Sequence, residues 1–359
     1  MNIIIPRKNN FGILRLLFAL TVVLVHMYDL TLNPKLEIIS KLLSSKIAVD
    51  GFFVISGFLI FMSYENSPFL KEYFSKRVRR IYPAYFLVII MCATLGVFLS
   101  ELSMPQYFSV NFIKYLVANL FFLNMLQPTL PGVFLDNPVM PAVNGALWTI
   151  KIEVMFYCIV PILVYLMRRY NKLIVIIFFY IASYIYVLYF NNLADITGKR
   201  FYIELARQLP GQLSYFLSGT LLYYFFDVFF KNRHKILTIG IIGYIIGSHN
   251  FILSCIEPIS LAILVIYLAF FIPEISFIEK YGDLSYGTYL YHFPIIQTFI
   301  SLNLFQISPY FSLISILCVV LILAIFSWNL WEKPFIQRVS FRKFIWPLSK
   351  SATSHQGRF

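Results

Sequence analysis

Apolar runs long enough to cross a bilayer recur from one end of this 359-residue chain to the other. A transmembrane helix needs about 20 mostly apolar residues to span a hydrocarbon layer roughly 30 Å thick. Inside that layer only helices and closed barrels satisfy every backbone N–H and C=O. Ten runs of this kind lie near residues 11–30, 46–64, 81–100, 146–167, 173–190, 211–230, 236–251, 254–272, 284–302 and 310–330. The chain is 60% hydrophobic and 13% charged, about half the charge of a soluble domain. These features predict an all-α, polytopic membrane helix bundle of about ten transmembrane helices. The stretch 112–126 (FIKYLVANLFFLNM) is apolar but too short for a span, and reads as re-entrant or interfacial.

The net charge of +13 suggests nucleic acid at first sight, but the basic residues fall in short loops between the apolar runs. Counted with ten spans and the N-terminus inside, twenty of the 29 Lys and Arg lie in inner segments and seven in outer ones. The positive-inside rule then puts both termini in the cytoplasm. An eleventh span at 112–126 would move the basic loops after it outside. Cys92, Cys158, Cys255 and Cys318 all sit in apolar segments, with no spacing that suggests disulfides or a metal site. The first apolar run contains Arg15 and lacks a small-residue cleavage site, so no cleavable signal peptide is expected. The expected division is a membrane domain over 1–336 and a basic cytoplasmic tail over 337–359.

Ionisable residues are costly within a bilayer and mark function by default. Arg15 and His26 lie eleven residues apart in the first apolar run. Eleven helical steps come to about three turns plus 20°, so both share a face, about 16 Å apart along the axis. Arg15 then sits at the inner end and His26 near the outer end. A lone membrane histidine that only bonds a neighbouring helix would look the same. Three carboxylates make catalysis a serious alternative: Asp29 three positions later, Asp50 at the outer start of the second run, and Glu153 about two turns inside the fourth, near Trp148 and Lys151. An imidazole oriented by a carboxylate can take the proton from a hydroxyl nucleophile. Lys151 and Glu153 are two residues apart and do not face each other on a helix.

Arg77, Arg79 and Arg80 occupy a basic loop that either sets orientation or binds a polyanion. Arg77 and Arg80 share a face and could clamp phosphates. Gly51, Ser56 and Gly57 of the second run allow close approach, of a ligand or of another helix. The segment YGDLSYGTYLYHFP (281–294) carries Tyr286 and His292, the latter a site residue or a structural hydrogen-bonder. Pro294 should kink that helix and free a carbonyl.

Several of these stretches match one family. LRLLFALTVVLVH resembles the Arg-x10-His signature of the acyltransferase-3 family, through Arg15 and His26. AVDGFFVISGFLI is similar to its GVDLFFVLSGFLI stretch, through Asp50, Phe53, Ser56, Gly57 and Phe58. KRVRRIYPAY carries its Arg-x-x-Arg and Arg-Ile-x-Pro-x-Tyr pattern at Arg77, Arg80, Pro83 and Tyr85. ALWTIKIEVMFYCIVPIL resembles LWSLxxExxFYxxxPxL through Trp148, Glu153, Phe156, Tyr157 and Pro161. DLSYGTYLYHFP and WEKPF resemble its closing motifs. The motifs stand in the family's order along most of the chain. Departures are few, with Gly51 for the usual Leu and Thr149 for the usual Ser.

The resemblance implies ten spans and transfer of an acyl group, usually acetyl, from cytoplasmic acyl-CoA to a hydroxyl of an extracytoplasmic or lipid-linked glycan, in a bacterial inner membrane. It implies an essential His26 and donor-side Arg77 and Arg80. Joined to the residue reading, it gives Arg15, Arg77 and Arg80 on the donor phosphates and Ser56 and Gly57 making room for the pantetheine arm. His26 acts as base or acyl carrier, Glu153 or Asp50 orients His26 or the acceptor, and Trp148, Tyr286 and His292 lie beside the acceptor. The expected partners are acyl-CoA (acetyl-CoA foremost), a glycan and the lipid bilayer, with no metal. The competing class is a glycan or lipid transporter, whose path intramembrane charges would line. Against it, no pair of Gly- or Pro-broken spans recurs in matching halves. A purely structural membrane partner would leave Arg15 and His26 unexplained.

Overall fold

The computed structural model describes residues 5–337 except 7, 67–68, 251–252 and 276–281. The tail predicted for 337–359 therefore lies, past Gln337, outside the described residues, as do Arg7 and Lys280. Ten long helices fall among the described residues: α1 (Phe11–Thr31), α2 (Ser45–Glu65), α3 (Leu70–Leu95), α4 (Trp148–Arg169), α5 (Lys172–Thr197), α6 (Leu209–Tyr224), α7 (Arg233–His249), α8 (Glu257–Phe271), α9 (Leu284–Ser301) and α10 (Pro309–Ser327). Each overlaps one of the ten apolar runs, and seven spans among them are long and apolar enough to cross a membrane. The described residues hold no strand, only one isolated bridge between Ser100 and Val133.

The third run differs from expectation. Its helix begins at Leu70, so the basic stretch 76–80 is helix and not loop. Hydropathy sees only the apolar half of α3. Its first turns stay helical because Arg77 and Arg80 find partners inside the bundle. The stretch 112–126 forms an 11-residue helix, Val110–Leu120, about 16 Å long and too short to span.

Bilayer helices gain nothing by burying apolar surface from equally apolar lipid, so close contact and hydrogen bonds hold them together. The α2–α6 crossing shows this. A Cβ on Gly57 would meet the Phe216 carbonyl oxygen at 1.8 Å, and one on Gly219 the Val54 carbonyl oxygen at 2.0 Å. Only glycine lets the backbones touch there. Gly57 thus belongs to a helix crossing, whereas Ser56 lines a cavity. Rings of Phe156 and Phe216 stack beside it at 4.0 Å.

Two prolines inside helices open carbonyls that other segments close. A proline leaves the carbonyl four residues earlier without its helical partner. Pro294 frees that of Leu290, which accepts from Asn144 Nδ2 at 2.9 Å. Pro161 frees that of Tyr157, which accepts from Tyr73 OH at 3.1 Å. The predicted opening at Pro294 thus pins the polar segment before α4 onto α9. Gln297 adds to this, donating to the Met140 and Ala142 carbonyls at 2.8 Å.

Candidate active site

Helices α1 and α9 pack side by side and bring His26 against His292. His26 Nδ1 lies 2.9 Å from His292 Nε2, and the rings stack with centroids 5.1 Å apart. His292 is fully buried, and its Nδ1 lies 2.7 Å from the Tyr289 carbonyl oxygen. These contacts fix the protons. A carbonyl only accepts, so His292 Nδ1 carries its hydrogen. With that ring neutral, Nε2 accepts, and His26 Nδ1 must donate to it. His26 Nε2 is left with a bare lone pair and no side-chain partner among the described residues. Its tautomer is set by a second imidazole instead of a carboxylate.

The carboxylates considered as partners for His26 are engaged elsewhere. Asp29 is exposed. Glu153 accepts from Tyr157 OH at 2.5 Å. Asp50 accepts from Lys46 Nζ at 2.9 Å. That ammonium also donates to Tyr215 OH at 3.0 Å and Glu257 Oε1 at 3.1 Å, using all three of its hydrogens and joining α2, α6 and α8. Lys151 turns away from Glu153 and donates to Gln208 Oε1 at 2.6 Å.

Two cavities meet near this relay. The first, about 500 Å³, is lined by His26, Trp148, Lys46, Asp50, Tyr215 and Glu257, among others. The second, about 120 Å³, is lined by Arg15, Arg77, Arg80, Glu153, Ser56 and Tyr286, among others. Val49 and Tyr289 line both. A third hollow of about 330 Å³ continues from the second past Arg15 and Leu59 to Asn10 and Asp283. Residues assigned from sequence to the two ends of the bundle thus separate into two groups, with Arg15 on the arginine side and His26 on the other. Glu153 falls on the arginine side. His292 lies behind His26, and Tyr286 donates from its hydroxyl to the Ile81 carbonyl at 2.9 Å, lining the arginine cavity and not that of His26.

The arginines are not equivalent. Arg15 and Arg80 share one carboxylate, Asp283, just ahead of α9, with Arg15 at 2.9 Å. Burial works to raise the Asp283 carboxyl, but the Arg15 and Arg80 guanidiniums and hydrogen bonds from Ser285 outweigh it and hold it well below the usual carboxylate range. Arg80 also lies 3.8 Å from Glu332, which a π turn at Trp328–Glu332 directs into the bundle. Arg77 pairs with no carboxylate among the described residues. Its guanidinium rests between the rings of Tyr73 and Tyr157, at 5.6 and 5.4 Å, with Nε unbonded. It is a cation held between two rings on the wall of the arginine cavity. Asp283 and Glu332 were not singled out by sequence, although both stand inside recognised motifs.

The sequence profile of one family, described as an acyltransferase domain, matches residues 9–329. The chain belongs to the acyltransferase-3 family. It is similar to a protein named O-acetyl transferase from Shigella phage Sf6, 28% identical over 345 residues covering 93% of this chain and 98% of the relative. It is also similar to Nodulation protein 10 of Rhizobium leguminosarum bv. viciae, 28% identical over 324 residues, 82% of this chain and 85% of the relative. A putative acetyltransferase of Acidianus two-tailed virus is 24% identical over 292 residues, 76% of this chain and 79% of the relative. No solved structure matches the chain. This acyltransferase-3 protein is a multi-pass membrane acyltransferase, with helices for its scaffold and ionisable side chains at its centre.

Proposed function

We propose that the protein moves an acetyl group from cytoplasmic acetyl-CoA to a hydroxyl of an extracytoplasmic or lipid-linked glycan, across a bacterial inner membrane spanned ten times with both termini inside. The observation that carries this reading is the division at Tyr289: a bare imidazole nitrogen in one cavity and three guanidiniums, Arg77 among them with no carboxylate paired to it among the described residues, in the other. Arg77, without a counter-ion, is the foremost group for a donor phosphate. Arg15 and Arg80 flank it, partly neutralised by Asp283. The cavity of His26 opens among residues that the charge bias assigns to the outer surface and suits a hydroxyl-rich acceptor, with Trp148 and the Lys46–Asp50–Glu257 group on its walls. The relative named O-acetyl transferase supports acetyl as the group and oxygen as the acceptor.

In the proposed reaction His26 Nε2 takes the proton of the acceptor hydroxyl as its oxygen attacks the thioester carbonyl carbon. The C–S bond breaks, the CoA sulfur leaves as thiolate, and the proton held by His26 passes to it. His292 keeps Nδ1–H of His26 in place through both transfers. The membrane domain is assigned residues 1–336.

Thiol release from acetyl-CoA by the purified protein with acceptor glycan tests the proposal. Wild type should release CoA and acetylate the acceptor in equal amounts, and His26→Ala should lose at least ~10²-fold in rate at normal expression. Acceptor acetylation by His26→Ala at the wild-type rate, or glycan movement without CoA release, would sink it.

A further inference from the structure

We infer that Tyr289 sets which acyl group reaches His26, holding the passage between the two cavities to the width of an acetyl group. The inference rests on the donor route proposed above. Tyr289 of α9 and Val49 of α2 are lining residues common to both cavities, whereas His26 lines only the larger one. A thioester arriving beside Arg77 and Arg80 therefore meets the Tyr289 ring before it meets His26.

The ring is held at both ends. At its root, the Tyr289 carbonyl holds His292 Nδ1. At its tip, the hydroxyl lies 2.8 Å from Thr149 Oγ1 and 3.3 Å from the Ala146 carbonyl oxygen, both at the start of α4. One hydroxyl donates to the other and the second to the carbonyl, so the three atoms close a small network. In between, the ring packs edge-on against Phe52 at 5.9 Å and His292 at 5.5 Å. A ring tethered at both ends and flanked by Phe52 and His292 makes way for a longer chain only by breaking its hydrogen bonds. On the proposed route an acetyl group passes beside it, and further methylenes have to displace it. Discrimination by such an apolar wall runs to about 10–200-fold for each methylene. Tyr289 is a selectivity residue and takes no proton.

The experiment compares acetyl-CoA and butyryl-CoA as donors to the same acceptor, reading kcat/KM by thiol release and the transferred group by mass spectrometry. Wild type should favour acetyl by about 100-fold or more. Tyr289→Ala should raise the butyryl-to-acetyl ratio by about tenfold or more. Tyr289→Phe and Thr149→Val, which keep a ring but cut the tether, should raise it less. Val49→Ala trims the other lining residue common to both cavities without touching the His292 contact, and should raise the ratio even where Tyr289→Ala is too unstable to assay. An unchanged ratio in active Tyr289→Ala or Val49→Ala, or wild type that takes both donors equally, overturns the inference. Wild type that releases no CoA from either donor instead overturns the donor reading, so the two failures are distinguishable.

Discussion

Replacing His292 with Phe isolates what the histidine pair contributes. Phenylalanine keeps an aromatic ring against His26, where the two imidazoles now stack, but removes the acceptor 2.9 Å from His26 Nδ1. Two losses follow. The His26 Nδ1–H faces an apolar ring, and leaving a buried donor unpaired costs about 1–3 kcal/mol. The ring is also free to move its proton to Nε2, the nitrogen that must be bare. If the lost hydrogen bond is felt fully in the reacting state, 1–3 kcal/mol corresponds to about a 5- to 150-fold fall in kcat. Neither substrate's binding depends on this contact, so KM for donor and acceptor should hold. Gln in place of His292 offers a side-chain carbonyl near the old Nε2 and should recover part of the loss. The assay is steady-state thiol release in detergent, with the acceptor product weighed and folded protein quantified by size-exclusion chromatography. Wild-type kcat in His292→Phe, or a loss in Gln as large as in Phe, would refute the relay.

Two further perturbations test the arginine side. Arg77→Ala removes the cation without a counter-ion, so donor KM should rise by about tenfold or more, a charge-assisted contact contributing about 1.5–3 kcal/mol, with acceptor KM unchanged; titration of donor against initial rate checks this. Asp283→Asn removes the carboxylate shared by Arg15 and Arg80, and thermal unfolding in detergent should show a loss of about 3 kcal/mol, the usual cost of breaking a buried pair from one side. The pH dependence has a definite sign. The folded Asp283 carboxyl is held below its unfolded value, so its contribution is complete above roughly pH 4 and disappears as pH falls through the depressed folded value. Wild-type melting temperature should therefore drop more steeply than that of Asp283→Asn as the pH is lowered below about 4.

Hydropathy alone located the ten long helices, because each is apolar over most of its length. The same signal misplaced the start of α3, whose first turns are polar on the face that carries Arg77 and Arg80. Helical spacing correctly kept Lys151 from Glu153, and Pro294 correctly announced a freed carbonyl. Their actual partners, Gln208 and Asn144, are far away in sequence and left no local trace. The same holds for Asp283, the counter-ion of Arg15, which periodicity could only mark as a residue ahead of a helix. The i, i+4 spacing of Lys46 and Asp50 was there to be read but went unread, and in the structure that pair draws Asp50 away from the role of orienting His26. A carboxylate behind the base is the familiar arrangement, so His292 read equally well as a bystander until α1 and α9 were brought together.

The most direct test uses proteoliposomes in which the protein faces one way. Acetyl-CoA is supplied only to the face carrying the Arg77 side, and the glycan acceptor only to the face carrying His26. Acetylated glycan is expected on the His26 side, free CoA on the other, and neither product when the two substrates are exchanged. Transfer at equal rates in both arrangements, or only in the exchanged one, would contradict that expectation.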